Sequence, residues 1–209
     1  MNNFPLTNRS LGLLGFLGAH YMLVAPMLSM RYPTLAQTAF DGLIGLFFML
    51  TWMGSLVGLI RLKAVGRSGF GRFIIRANLI TLTVANVWNI YQAIEPNANT
   101  LLYKILDAFW PISMVMMLLV GIAVARVGTL RGWRRYVPLA VGMWLPLTAL
   151  TGKLMGLALV NMAANADNAM LYVMVLSGLY ASVCWSLLAY LVLSTPQPQP
   201  IRRIEAILV

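Results

Sequence analysis

Six apolar segments take up most of the chain, and they constrain its fold more than any other feature. We place them at residues 10–30, 41–60, 73–93, 106–125, 136–160 and 169–193. A bilayer core about 30 Å thick is crossed by a helix of about 20 residues. Only 10% of the 209 residues are charged, and the short connections leave no room for a soluble domain. The sequence therefore predicts an all-α, polytopic membrane protein, a six-transmembrane-helix bundle over residues 1–193.

A tail, residues 194–209, follows the last apolar segment. It begins with alternating Pro and Gln, which favours an extended spacer. Beyond the spacer, Ile201, Ile204 and Leu208 recur at helical spacing beside Arg202 and Arg203. Two interpretations stay open for this cytoplasmic segment, a short basic amphipathic helix on anionic lipid and a frayed terminus, of which we favour the second.

Basic residues are distributed unevenly among the connections. Twelve of the fifteen Lys and Arg residues fall on the side of a six-span topology that also carries both termini. The opposite side and its flanking helix ends hold four of the five acidic residues: Asp41, Glu95, Asp107 and Asp167. Because Lys and Arg are retained on the cytoplasmic face, both termini are predicted to be cytoplasmic, in a membrane that we take to be a bacterial inner membrane. The net charge of +10 thus reflects topology, with anionic lipid rather than nucleic acid as the expected partner of the basic face.

A weak internal repeat is visible around two of these acids. Thr34 precedes Asp41 by the same distance as Thr100 precedes Asp107, and the two pairs are 66 residues apart. Matching helices would run in the same direction, so the sequence is compatible with a parallel repeat. The alternative is that helix starts look alike in any protein of this kind.

The third apolar segment has one polar face. Its polar residues fall within an arc of roughly 140° at about 100° per residue: Asn78, Thr81, Asn86, Asn89 and Gln92. Lipid cannot satisfy amides, so this stripe is predicted to face inward. It either bonds neighbouring helices together or lines a path for a solute, and both interpretations stay open.

Other polar groups occur inside the predicted spans. His20, the only histidine, lies near the middle of the first span, where we favour a satisfied core histidine over a proton relay. Asp41 and Asp107 lie near the starts of the second and fourth spans, where they either suit the helix dipole or lie two turns inside. For Lys153 in the fifth span we favour pairing with Asp107 over snorkelling, and Pro146 predicts a kink in the same span.

Small and flexible residues suggest how the helices pack. Glycines are expected to allow close approach in three spans: Gly12, Gly15 and Gly18 in the first, Gly54 and Gly58 in the second, and Gly152 and Gly156 in the fifth. The fourteen methionines are interpreted as flexible packing.

These observations lead to one hypothesis about a site. Six residues are expected to line a polar pocket in the outer half of the bundle: His20, Asp41, Asn86, Asn89, Asp107 and Lys153. The first functional hypothesis is a small-solute permease or a substrate-binding membrane subunit. The second is a non-catalytic accessory or scaffold protein, and the third is a membrane enzyme acting on a lipid or a quinone. No hydrolase or metalloprotease motif is present, and Cys184 is the only cysteine, so no catalytic residue, metal or cofactor is predicted and we favour a non-enzymatic role.

Overall fold

The computed structural model describes residues 7–32, 34, 38–96, 99–162 and 166–196, and the segments with regular structure in this part of the chain are all helical. The α-helices in chain order are α1 (Asn8–Ala19), α2 (Tyr21–Arg31), α3 (Ala39–Arg61), α4 (Gly69–Ile94), α5 (Leu101–Asp107), α6 (Phe109–Val127), α7 (Val137–Gly142), α8 (Trp144–Met162) and α9 (Ala166–Ser194). A 3-10 turn, Gly132–Tyr136, precedes α7. The predicted amphipathic segment of the tail, which begins at Ile201, lies outside the described residues.

Five helical segments are long and apolar enough to cross a membrane: Asn8–Leu28, Ala39–Arg61, Gly69–Ile94, Leu101–Val127 and Leu171–Ser194. A further pair, Gly132–Gly142 and Trp144–Leu154, is bent by 56° and makes a sixth if it is one broken span. The all-helical part of the prediction is confirmed, and these helices indicate a multi-pass membrane protein.

Two of the helix breaks have a proline as their physical cause. Pro111 lacks the N–H that would bond the carbonyl of Asp107, and its ring crowds that carbonyl, so α5 ends there and α6 begins after Ala108. Pro146 does the same to the carbonyl of Gly142 and separates α7 from α8. The 56° bend at this point confirms the kink predicted from Pro146.

The helices close into a ring. Going round the ring, α1 packs on α3, α3 on α4, α4 on α6, α6 on α7, α7 on α9, and α9 returns to α1. The largest side chains that are almost completely buried lie inside it, among them Phe48, Trp52, Met114, Met117 and Leu188. Helices α2 and α8 pack mainly against α9.

Glycines set the closest approaches between the helices. A Cβ added to Gly18 would fall under 3.0 Å from Thr51, and one added to Gly58 would meet Val192 in the same way, which confirms the close approach predicted for the first two spans. The prediction for Gly152 is wrong, because no atom lies within 4 Å of the place that its Cβ would take. Among the unpredicted close approaches are those of Gly121 and Gly142, which bring α6 and α7 into backbone contact.

Opposite ends of the ring differ in charge. Gly66, between α3 and α4, contacts Val127 at the end of α6, and Gly12 of α1 contacts Leu193 near the end of α9. We call this the basic end, and its described basic residues are Arg9, Arg61, Lys63, Arg67, Arg72, Arg76, Arg126, Arg131, Arg134 and Arg135. We call the opposite end the acidic end, and its described acidic residues are Asp41, Glu95, Asp107 and, in the first turn of α9, Asp167.

Candidate functional site

A cavity of about 380 Å³ lies near the acidic end, and we call it the acidic-end cavity. Helices α2, α3, α4 and α9 contribute to its wall, together with the break between α5 and α6. Its polar lining comes mainly from Asp41, Asn89 and Asp107, which are three of the six residues predicted to share a pocket. None of its described lining residues is Lys, Arg or His.

Asp41 is held at the start of α3. The helix begins at Ala39 with Thr38 as its N-cap, so Asp41 lies in the first turn and suits the helix dipole, as one of the two interpretations had it. The Nε2 of Gln92 on α4 donates a hydrogen bond of 2.7 Å to Asp41 Oδ2. This bond joins α4 to α3 and leaves the other carboxylate oxygen, Oδ1, without a donor among the described residues.

Asp107 occupies the last position of α5, just before the break that Pro111 causes. Its side chain is exposed, and it forms neither a hydrogen bond nor an ion pair with the described residues. The break therefore places a carboxylate at the accessible part of the cavity, while the half-buried Asp41 lies in the same lining.

The amides of α4 face inward, as predicted, since four residues of the polar stripe are buried: Asn78, Asn86, Asn89 and Gln92. Their partners include methionine sulfurs. Asn89 Nδ2 donates to Met49 Sδ at 3.3 Å and to Asn86 Oδ1 at 3.3 Å. Asn86 Nδ2 donates to Met53 Sδ at 3.4 Å, so Asn86 lies behind Asn89 and does not line the cavity.

Aromatic rings form much of the remaining wall. Tyr21 of α2 stacks on Phe48 of α3, with ring centroids 4.9 Å apart. Trp110 of α6 lies edge-on to Trp144 of α8 at 5.4 Å. Trp144 is fixed in turn by a hydrogen bond of 3.0 Å from its Nε1 to the carbonyl of Ser177 on α9. Together with Trp88, these contacts give the cavity several ordered aromatic surfaces.

His20 lies away from the acidic-end cavity. It separates α1 from α2, its side chain is exposed, and it lines a shallow surface groove with Phe16 and Tyr190. The interpretation as a buried core histidine is wrong. Helix α1 packs through its glycine face, and His20 is turned by about 200° from Gly18, at 100° per residue.

Lys153 does not join the acidic-end cavity either. Its side chain is exposed, and no ion pair joins it to Asp107, although both residues are described. The bend at Met143 directs α8 along α9, so α8 has little contact with α6 and Lys153 is carried away from the expected partner.

The charged groups of the cavity are hydrogen-bond acceptors. It offers carboxylate oxygens, an amide oxygen, thioether sulfurs and aromatic faces, and its donors are neutral: the Tyr21 hydroxyl and the indole N–H groups of Trp88 and Trp110. No group of three or more His, Cys, Asp or Glu side chains suited to a metal ion occurs in the described part of the chain. Comparison with protein-family models, curated proteins and solved structures finds no match to this chain.

Proposed function

We propose that this protein binds a small solute in the acidic-end cavity and acts as a permease or as a substrate-binding membrane subunit. The cavity carries the proposal, because its volume of about 380 Å³ lies within the range of about 300–1,000 Å³ that small-molecule sites usually have. Ionisable side chains within membrane spans are costly and commonly mark the path of a solute or ion. Asp41 and Asp107 both belong to membrane-length helical segments and both line the cavity.

The discontinuous helices support a permease rather than a scaffold. Transporter sites are commonly built from helices that are broken near the bound solute, where freed backbone groups can face a cavity. The break between α5 and α6 follows Asp107 directly, and Trp110 in the first turn of α6 lines the same cavity.

The proposal includes six spans, with the bent pair α7 and α8 within the fifth span and both termini cytoplasmic in a bacterial inner membrane. The basic end then faces anionic lipid, and a groove beside Arg72, Phe73 and Arg76 on α4 is suited to lipid headgroups.

A parallel repeat also remains part of the proposal. The two acids share one cavity, although Asp41 lies in the first turn of α3 and Asp107 ends α5.

Topology is tested by cysteine accessibility. The buried Cys184 is first replaced by alanine, and single cysteines are then placed at the exposed positions Arg67 and Glu95. A membrane-impermeant maleimide added to intact cells should label Glu95→Cys alone, and opening the cells should expose Arg67→Cys. Labelling of Arg67→Cys in intact cells would reverse the proposed orientation.

Solute binding is tested by thermal unfolding of the purified protein in detergent with a panel of amines, amino acids, sugars and carboxylates. At least one solute should raise the melting temperature. Ala25→Phe, which fills part of the cavity, should abolish that increase, whereas Val24→Phe should keep it because Val24 is exposed on the same helix outside the cavity. An increase that Ala25→Phe leaves unchanged would contradict the cavity as the site, and a panel without any effect would favour the scaffold hypothesis.

A further inference from the structure

Negative charge is concentrated in one cavity of an otherwise basic chain. Two of the five acidic residues, Asp41 and Asp107, line the acidic-end cavity, although basic residues outnumber acidic ones by fifteen to five. Asp107 has no hydrogen-bond or ion-pair partner among the described residues, and Asp41 has only the amide of Gln92. Carboxylates in a membrane span are costly unless they are paired. A bound cation would supply the missing partner.

A buried neutral group in the lining is also an acceptor. Asn89 is only 1% exposed and uses its amide N–H groups on Met49 and Asn86. Its Oδ1 accepts no hydrogen bond from the described residues, and a Cβ on Gly45 would fall under 3.0 Å from that oxygen. Gly45 also lines the cavity, so its missing side chain leaves the Asn89 oxygen room there. The lining contains no cationic side chain, and its donors are only the neutral hydroxyl and indole N–H groups of its aromatic side chains. Its acceptors include two carboxylates and the Asn89 oxygen, which a ligand that carries positive charge would complement.

The rest of the lining is apolar and aromatic. Rings come from Tyr21, Phe48, Trp88 and Trp110, and aromatic faces attract cations within about 6 Å of the ring centroid. A volume of about 380 Å³ greatly exceeds what a bare metal ion occupies, and walls of this kind suit a hydrocarbon body better than a hydration shell.

We propose that the ligand of the acidic-end cavity is a small organic cation, a protonated amine or quaternary ammonium with an apolar body. This inference rests on the proposed function and names its substrate class. The exposed Asp107 meets the cationic group at the accessible part of the cavity, while the half-buried Asp41, oriented by Gln92, provides the second carboxylate. The aromatic rings enclose the apolar body.

The test uses three probes of nearly equal size and different charge: phenethylamine, 2-phenylethanol and phenylacetate. Their affinities for the purified protein in a neutral detergent are measured through tryptophan fluorescence, since Trp88 and Trp110 line the cavity. Phenethylamine should bind at least about tenfold more tightly than the neutral and anionic probes, because a hydrogen bond to a charged group is stronger than one between neutral groups.

Variants assign that preference to the two carboxylates. Asp107→Asn should weaken phenethylamine binding about tenfold and leave 2-phenylethanol unaffected. Asp107 is exposed and forms no hydrogen bond with the described residues, so this variant keeps the fold, and Asp41→Asn gives an independent second measurement. Glu95→Gln removes an exposed carboxylate at the same end but outside the cavity and should change nothing.

The outcomes separate the two proposals. Equal or tighter binding of 2-phenylethanol or phenylacetate, lost in Ala25→Phe, would overturn the cation inference and keep the solute-binding function. Stabilisation by sodium chloride but not by choline chloride or phenethylamine would also overturn it, in favour of an inorganic ion. If none of the probes binds, the cation inference is overturned. The proposed solute-binding function is then judged separately, by the thermal-unfolding measurements with the wider panel of solutes.

Discussion

Replacing Gly121 by alanine should open the contact between α6 and α7. A Cβ at this position would fall under 3.0 Å from backbone atoms of Pro138 and Leu139. A Cβ added to the reciprocal glycine, Gly142 on α7, would fall just as close to backbone atoms of Leu118 on α6. Backbone atoms cannot rotate away as the end of a flexible side chain can, so the two helices would have to separate.

The size of the effect follows from these distances. Carbon atoms pack best at about 3.5–4.0 Å, so the helices would move apart by more than about 0.5 Å. The fully buried Met117 and Val141 lie on these two helices and would lose contact. Overpacking of this kind lowers the free energy of unfolding by about 1–3 kcal/mol. We expect a value near the upper limit, because the atoms in contact belong to the backbone and cannot move aside. Alanine regains up to about 1 kcal/mol of helix propensity, so Gly121→Ala should lower the free energy of unfolding by about 2 kcal/mol.

Equilibrium unfolding in mixed micelles with increasing SDS, followed by circular dichroism, measures this change. Gly152→Ala is the matched control, because it makes the same substitution within a helix where no atom lies within 4 Å of the new Cβ. The control should be as stable as the original chain, or slightly more stable. A Gly121→Ala variant as stable as Gly152→Ala would refute the close contact between α6 and α7.

Three further substitutions test individual hydrogen bonds by the same unfolding measurement. Asn78→Leu should be neutral or stabilising, because the Oδ1 of Asn78 is buried without a partner among the described residues and its Nδ2 donates only to the sulfur of Met117, at 3.7 Å. A loss above about 1 kcal/mol would show that this amide is satisfied. Tyr180→Phe removes the hydrogen bond of 2.7 Å to the carbonyl of Ala140 and should cost about 1 kcal/mol; an unchanged stability would mean that the bond does not form. Met53→Leu exchanges side chains of similar volume but leaves the buried Nδ2 of Asn86 without its sulfur acceptor, so it should lower the free energy of unfolding by about 1 kcal/mol. An unchanged free energy of unfolding would mean that Met53 contributes only packing.

Periodicity predicted the inward face of α4 because an amide in lipid has no other way to be satisfied. The same reasoning failed for His20, since a lone polar residue has no periodicity and its direction depends on which face of its helix packs. The sequence did contain a usable signal, because Gly12, Gly15 and Gly18 recur every three residues and mark the packed face of α1. His20 lies outside that face, and a comparison with the glycines would have placed it on the surface.

Tertiary geometry accounts for what the sequence could not predict. Pro146 indicated a bend, but its direction decides whether Lys153 approaches α6, and no local pattern contains that direction. The contacts of Gly121 and Gly142 could not be predicted for a related reason. Each is isolated in its own segment, and their pairing appears only when α6 and α7 cross.

The methionines explain why the amides of α4 leave an oxygen rather than an N–H group unsatisfied beside the cavity. An asparagine brings both donors and an acceptor, but a thioether sulfur can only accept. Met49 and Met53 therefore engage the N–H groups of Asn89 and Asn86, and they offer no donor to the amide oxygens. Asn86 Oδ1 takes an N–H of Asn89, which leaves Asn89 Oδ1 as the unsatisfied atom beside the cavity. Flexible packing residues thus also decide which atom of Asn89 is left unsatisfied, and a hydrogen-bond donor in place of Met49 should weaken the cation binding that we propose.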